Sequence, residues 1–315
     1  MARVSNGHYL SGIIIFFLIF LTAPSRLSAQ YKGPKGKGVW ITNVEDAIHA
    51  INDYAVRPGL PMTTVEELAT YLNEKGITWV GVKCSGGDEK RPQFNQNLVK
   101  AFADSGISTY GWHLFTGDKD AKKNYPGSPP EYQAALAAKQ INDASAAGLI
   151  VAPYYSVYFS ANKQYPGSEQ KYAERFLDEL RRIGYSGELG FSAIISQSDD
   201  IFDPWNYGTP PVPSHRFNFC FLKKVNTDFV CPRFFWTKRD NQMTHYNEVS
   251  NKHDNLWKQL GSRLVPLGQA NYDVAGKGNY IESFENKAKA ISQVKGWALW
   301  DLDHFQSEDF ANYLK

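Results

Sequence analysis

Cysteine is scarce in this chain of 315 residues, which contains only Cys84, Cys220 and Cys231. Their spacing matches no cysteine-based zinc site. The odd number leaves two alternatives open. One disulfide could form, for which Cys220 and Cys231 are the plausible pair, with one thiol left over. Equally, all three could be thiols buried in a large core.

Concentrated positive charge is also absent. The formal net charge is +2, and part of the positive charge lies in the short segment Lys32–Lys37 (KGPKGK). Proteins that bind nucleic acid usually carry a concentrated basic face, so we expect no nucleic-acid partner. No Gly-rich phosphate-binding sequence follows the first predicted strand, and we expect no cofactor.

The chain also lacks an apolar run of the roughly 20 residues that a membrane-spanning helix needs. Its apolar stretch Leu10–Leu21 follows a positively charged start and precedes the small residues of Leu27–Ala29. This order is typical of a secretory signal peptide, with an uncleaved membrane anchor as the alternative. We therefore predict a signal peptide over 1–29, a flexible leader over 30–37 and one domain over 38–315. The protein is expected to be secreted or periplasmic, with no stable membrane insertion after cleavage.

The predicted domain contains a regular alternation of short apolar stretches with helical patterns. The predicted strands are Val39–Asn43, Thr78–Cys84, Ser108–Phe115, Leu149–Tyr155, Glu188–Ile195, Asp228–Trp236, Arg263–Gln269 and Gly296–Phe305. The predicted helices are one from Thr64, then Asn97–Ala103, Glu131–Ala147, Glu169–Ile183, His215–Lys224, Asn251–Leu260, Ile281–Val294 and Glu308–Leu314. Strands separated by helices pair in parallel through right-handed crossovers. Eight such units predict a single (β/α)8 TIM barrel, with an open doubly wound sheet as the alternative.

Local signals are strongest around the helix that begins at Thr64. Thr64 and Glu67 have the spacing of a capping box, and Gly76 stands at the C′ position where such a helix ends. The preceding segment carries Glu45 and Asp46 and is predicted to be a long polar loop.

The last predicted strand, GWALWDLDHF, ends in two carboxylates and a histidine. In a parallel barrel the active site lies at this end of the strands, so Asp301 and Asp303 are the candidate catalytic residues. The period of two places Trp300 on the same side as Ala298, where an indole could stack on a sugar ring. The alternative is that Trp300 belongs to the core and the aspartates begin a turn. Carboxylate pairs of this spacing are common, and we predict no metal beside His304.

Two cations occur within otherwise apolar predicted strands, Lys83 and Arg233. An unpaired buried charge is costly, so each should pair with a carboxylate in the barrel mouth or bind an anionic group. The other candidate substrate contacts are Trp112, His113, Tyr155, Trp236 and Gln269. His113 could instead be a hydrogen-bonded structural residue. Such an inventory of aromatic, amide and charged groups suits a polyhydroxylated ligand, and we expect a carbohydrate partner.

The chain resembles the secreted glycoside-hydrolase-type TIM barrels, in particular lysozyme-like barrel domains. The motifs that carry the resemblance are GVWITN, WVGVKCSGGDE, YGWHLF, DFVCPRFFW and GWALWDLDHF, on predicted strands one, two, three, six and eight. The resemblance spans nearly all of the predicted domain. It implies a (β/α)8 fold and hydrolysis of a polysaccharide or cell-wall glycan.

The sequence departs from that family at the fourth strand. The resemblance implies acidic residues there, but Leu149–Tyr158 (LIVAPYYSVY) contains none. Glycoside hydrolysis ordinarily needs two carboxyl groups about 5 to 9.5 Å apart. Two hypotheses therefore stay open: a glycoside hydrolase with a displaced acid pair, one member of which comes from strand eight, or an inactive barrel that binds glycan through an aromatic mouth.

Overall fold

A computed structural model describes residues 31–55, 59–116, 128–153, 168–192, 227–234, 263–269, 277–290, 294–305, 309, 313 and 314. From Lys32 onward these residues belong to one compact unit. The strands are β1 (Gly36–Ile41), β2 (Ile77–Gly86), β3 (Glu89–Lys90), β4 (Ser108–Phe115), β5 (Gly148–Pro153), β6 (Glu188–Phe191), β7 (Phe229–Val230), β8 (Arg233–Phe234), β9 (Leu267–Gln269) and β10 (Gly296–Trp300). The helices are α1 (Val44–Tyr54), α2 (Val65–Glu74), α3 (Gln96–Asp104), α4 (Pro130–Ala144), α5 (Ser168–Arg182) and α6 (Lys277–Ala290), followed by a 3-10 turn at Leu302–His304.

The strands form a closed parallel ring. Their order is β7-β6-β5-β4-β2-β1-β10-β9-β8, and among the described strands only the short β3 is antiparallel to its neighbour. The two ends of this path, β7 and β8, are halves of one continuous stretch. That stretch is bonded on both sides: Cys231 N donates to Phe191 O (2.7 Å) and Leu267 N donates to Pro232 O (2.9 Å). The (β/α)8 barrel predicted from the sequence is therefore confirmed.

Large aromatic side chains fill the inside of the ring, and glycines on neighbouring strands make room for them. The enclosed residues are Trp40, Trp79, Tyr110, Trp112, Ile150, Ala152, Phe229, Cys231, Val265, Leu267 and Ala298. A Cβ atom at Gly38 would lie 2.1 Å from Trp79 Cε2, and one at Gly190 would lie 2.3 Å from Phe229 Cε2. A second, larger apolar core lies between the outer face of the ring and the helices.

Helix α2 forms as its sequence predicts. Thr64 Oγ1 accepts from Glu67 N (3.2 Å) and the Glu67 carboxylate accepts from Thr64 N (3.0 Å). Gly76 then adopts φ +74°, a left-handed conformation that glycine reaches without strain.

The predicted polar loop after the first strand is wrong for Val44–Tyr54, which is helix α1. Asn43 caps it by accepting from Glu45 N (3.0 Å). Glu45 and Asp46 occupy the first turn, where negative charge is favourable. The acids that suggested a loop are therefore the start of a helix.

Other boundaries differ by a few residues. The sixth predicted strand is interrupted at Cys231-Pro232, and the eighth ends at Trp300. Strand β1 begins at Gly36, two residues before the predicted start of the domain. The predicted helices at 215–224 and 251–260, and most of the one at 308–314, lie outside the described residues.

Cys84 and Cys231 are buried free thiols, so the alternative of buried thiols holds for both. Burial raises the pKa of Cys84 to about 12 and that of Cys231 further still. Cys220 lies outside the described residues. Over the described part of the chain, no helix has the length and apolar character needed to cross a membrane.

Candidate functional site

Three indole rings meet near the carboxyl end of the ring of strands. Trp40 on β1, Trp112 on β4 and Trp300 on β10 have centroids 5.1 to 5.5 Å apart. We call these three residues the tryptophan cluster. Trp40 and Trp112 are fully buried, whereas Trp300 is partly exposed. Trp300 packs against the enclosed residues of the ring and lies on the same side of β10 as Ala298, as the period of two predicts.

Each of the two predicted cations lies over one ring of the tryptophan cluster. Lys83 Nζ is 5.0 Å from the centroid of Trp112, and Arg233 Cζ is 5.3 Å from that of Trp300. Only 8% of Lys83 and 6% of Arg233 is exposed. Arg233 Nε also donates to Ser192 Oγ (2.7 Å). These contacts are favourable cation–π interactions, which gain strength when the cation is desolvated.

Lys83 has fewer polar contacts than Arg233 among the described residues. Its ammonium forms no hydrogen bond or ion pair with any residue that the structure describes. Burial lowers its pKa, and Arg91 lowers it further. Asp303, Glu89 and Asp301 act in the opposite direction from a distance.

Asp301 and Asp303 lie at the rim, where they connect the end of β10 to the end of β1. Asp301 Oδ2 accepts from Thr42 Oγ1 (2.8 Å), and Asp303 Oδ1 accepts from Thr42 N (2.9 Å). Asp303 Oδ2 accepts from Asn43 N (3.1 Å), and Asp301 Oδ1 pairs with His304 Nδ1 (2.7 Å). We call this set of contacts the aspartate clamp. Each of the four carboxylate oxygens therefore already has a partner within the protein.

The aspartate clamp changes the acidity of its members. Burial, followed by the neighbouring charge of Asp301, raises the pKa of Asp303 to about 6. The hydrogen bond to Asp301 raises the pKa of His304 to about 9. At neutral pH, Asp303 can therefore carry a proton part of the time, and His304 is mostly cationic.

Asp301, Asp303 and His304 could also contribute one ligand atom each to a cation, because these atoms lie within 4.8 Å of one another. A cation would have to displace the hydrogen bonds of the aspartate clamp. The sequence predicts no metal here.

His113 does not join this site. It follows Trp112 on β4 and therefore faces the helices rather than the barrel interior. Its ring contacts Ser85 Oγ (2.9 Å) and Gln133 Oε1 (3.2 Å) and stacks on Phe176. Burial lowers its pKa to about 4, so it is neutral at physiological pH. These contacts fit the alternative that His113 is a hydrogen-bonded structural residue.

The remaining predicted contacts are only partly described. Gln269 ends β9 and pairs with Trp300 across the ladder, which places its backbone beside the tryptophan cluster. Tyr155 and Trp236 lie outside the described residues.

Sequence reasoning missed two contributors from strand β1 and its end, Trp40 and Thr42. The signal was present in VWITN, because a period of two that brings Trp40 inward also brings Thr42 to the same side at the rim.

No protein-family model matches the chain, and no curated protein sequence matches it. Solved structures do share its fold, and several are glycoside hydrolase TIM barrels. The spore cortex-lytic enzyme SleL of Bacillus cereus has a TM-score of 0.52 at 9% identity, over 90% of this chain and 75% of that one. The ICChI chitinase of Ipomoea carnea has a TM-score of 0.51 at 12% identity, over 89% and 98%. A GH18 chitinase of Pseudoalteromonas aurantia has a TM-score of 0.51 at 10% identity, over 87% and 97%. At these identities the likeness is one of fold.

Proposed function

We propose that this chain is a glycan-active barrel protein that binds carbohydrate at the barrel mouth, with Trp300 as the stacking surface. The observation that carries the proposal is the position of Trp300 in the tryptophan cluster. It faces the barrel interior at the end of β10, stays partly exposed and packs against Trp40 and Trp112.

Physical chemistry favours this use of the residue. The apolar face of a sugar ring stacks on an indole, and polar groups at the rim orient its hydroxyls. A ring fixed by neighbours loses little conformational freedom on binding, which favours affinity. Fold neighbours that are named as chitinases support a carbohydrate as the ligand class.

The test compares two tryptophans of the same strand. Trp300→Ala should weaken retention on insoluble polysaccharides such as chitin, cellulose and peptidoglycan at least about fivefold, since such a contact is worth about 1 kcal/mol or more. Trp297→Ala is the matched control, because Trp297 faces outward and packs under Lys289. Equal retention of both variants and the wild type would refute the stacking role.

Hydrolysis is the second candidate, and the raised pKa of Asp303 favours it, because a general acid needs a pKa near the working pH. Asp301 and Asp303 lie side by side and share Thr42, so Asp303 would have to act with a carboxylate across the mouth. Reducing-sugar release by the wild type that Asp303→Asn abolishes would select this function. Retention without release would select binding alone.

We further propose that the protein acts outside the cytoplasm, as its N-terminal sequence indicates. Sequencing of the mature protein should give Gln30 as its first residue. A mature protein that still begins at Met1 would contradict this.

A further inference from the structure

We infer that the sugar bound at the mouth carries a negative charge, a carboxylate or a sulfate, and that Lys83 and Arg233 recognise it. This inference rests on the proposed carbohydrate-binding function and narrows it to acidic glycans.

The position of Lys83 is the first argument. It stands on an inward-facing position near the carboxyl end of β2, with its ammonium held over the Trp112 ring. Only 8% of the Lys83 residue is exposed, so burial removes part of the hydration of its ammonium. The ring replaces only part of that loss, and no described residue supplies a hydrogen bond or an ion pair to Nζ. An anionic group of a ligand would supply both.

Three described carboxylates, Asp303, Glu89 and Asp301, act on Lys83 through their charge, and none of them forms an ion pair with it. The oxygens of Asp301 accept from Thr42 and His304, and those of Asp303 accept from the Thr42 and Asn43 backbone. Their charges act on Lys83 only at a distance. His304 is itself mostly cationic at neutral pH and offsets part of their negative charge.

Arg233 adds a second, oriented cation. Its Nε is bound to Ser192, which fixes the plane of the guanidinium above Trp300. A sugar that stacks on the exposed part of Trp300 therefore comes close to this guanidinium. Arginine binds carboxylate and sulfate groups in a geometry that lysine does not reproduce, so the two cations would act in different ways.

A neutral sugar would supply no ion pair to the Lys83 ammonium, which has none with the described residues of the free protein. A hydrogen bond between charged groups contributes more than one between neutral groups. We therefore expect acidic glycans to bind at least about tenfold more tightly than neutral glycans of the same skeleton.

The test is an oligosaccharide array with matched pairs. Uronate-, N-acetylmuramate- and sialate-bearing oligosaccharides are printed beside the same compounds with their carboxyl groups reduced to alcohols. Sulfated oligosaccharides are printed beside their desulfated forms. The wild type should prefer the charged member of the pairs that it binds, and this preference should fall as NaCl is raised from 0.05 to 0.5 M.

Two variants assign the effect to Lys83. Lys83→Met keeps the aliphatic stem and should abolish the preference for charged members. Lys289→Met is the control, since Lys289 also lies over a tryptophan, Trp297, but on the outer side of the barrel. If Lys83→Met folds poorly, the salt series on the wild type still tests whether the preference is electrostatic.

The outcomes are distinct. Trp300-dependent binding that does not distinguish charged from neutral members overturns this inference and leaves the proposed function intact. No binding to any glycan by the wild type overturns both. A charge preference that Lys83→Met retains and that salt does not weaken also overturns the inference.

Discussion

Replacing His304 with glutamine should remove part of the pH dependence of the protein's stability. In the folded protein His304 Nδ1 lies 2.7 Å from Asp301 Oδ1, and this hydrogen bond raises the pKa of His304 from 6.5 to about 9. The folded state therefore holds this proton more tightly than the unfolded chain. The resulting stabilisation is fully present below pH 6.5 and is lost as the pH rises through 9.

The magnitude follows from the pKa values and the exposure of the ring. A rise from 6.5 to about 9 corresponds to at most about 3 kcal/mol for a group shielded from solvent. The His304 side chain is 55% exposed, so screening by water and salt reduces this to about 1 kcal/mol. Burial raises the pKa of Asp303 from 3.8 to about 6. The contribution of Asp303 to stability therefore changes with pH mainly between those two values, below the pH range of this experiment.

Urea unfolding at pH 6.5 and pH 9.5 measures the effect. The wild type should lose about 1 kcal/mol more unfolding free energy between the two pH values than His304→Gln does. His49→Gln is the control, because His49 is an exposed histidine of helix α1 that contacts only Glu45 (4.0 Å) among the ion pairs described. An equal loss in the wild type and His304→Gln would refute the argument that this pair raises the pKa of His304.

Replacing either of two glycines with alanine should lower stability, for a different reason at each position. Gly38→Ala should lower the unfolding free energy by about 3 kcal/mol or more, because the new Cβ would overlap the buried Trp79 ring at 2.1 Å. Gly76→Ala should cost about 1 to 2 kcal/mol because φ is +74°, although no atom of the described residues lies within 4 Å of the added Cβ. Thermal unfolding of both variants ranks them, and a larger loss for Gly76→Ala would contradict the packing described at Gly38.

Much of the barrel could be predicted because its signals are local. The capping box at Thr64 and the bounds of β4, Ser108–Phe115, follow from residues a few positions apart. The inward orientation of Trp300 follows from the period of two along a single strand. The prediction for Val44–Tyr54 was wrong because acidic residues in the first turn of a helix resemble a polar loop until the cap at Asn43 is recognised.

The site was harder to predict than the fold. Trp112 and His113 are adjacent on one strand, so only one of them can face the interior. This much could be predicted from the sequence alone. The aspartate clamp could not be predicted in the same way. It joins Asp303 to Thr42, 261 residues away, and depends on the pairing of the first strand with the last. For the same reason, the sequence could mark Asp301 and Asp303 as site candidates but could not show which groups they bind.

The pairing of β1 with β10 also sets the order of events during synthesis. Trp40 leaves the ribosome early and Trp300 late, yet the two rings lie 5.1 Å apart in the folded chain. Contacts between such distant parts of a sequence form slowly, because a long segment must first be ordered. Near the far end of the chain, Tyr313 donates its hydroxyl to Gly38 O (2.8 Å) and adds a last contact across the same junction. The mouth is therefore assembled last, and a nascent chain that stops short of β10 has neither a closed ring nor a complete tryptophan cluster.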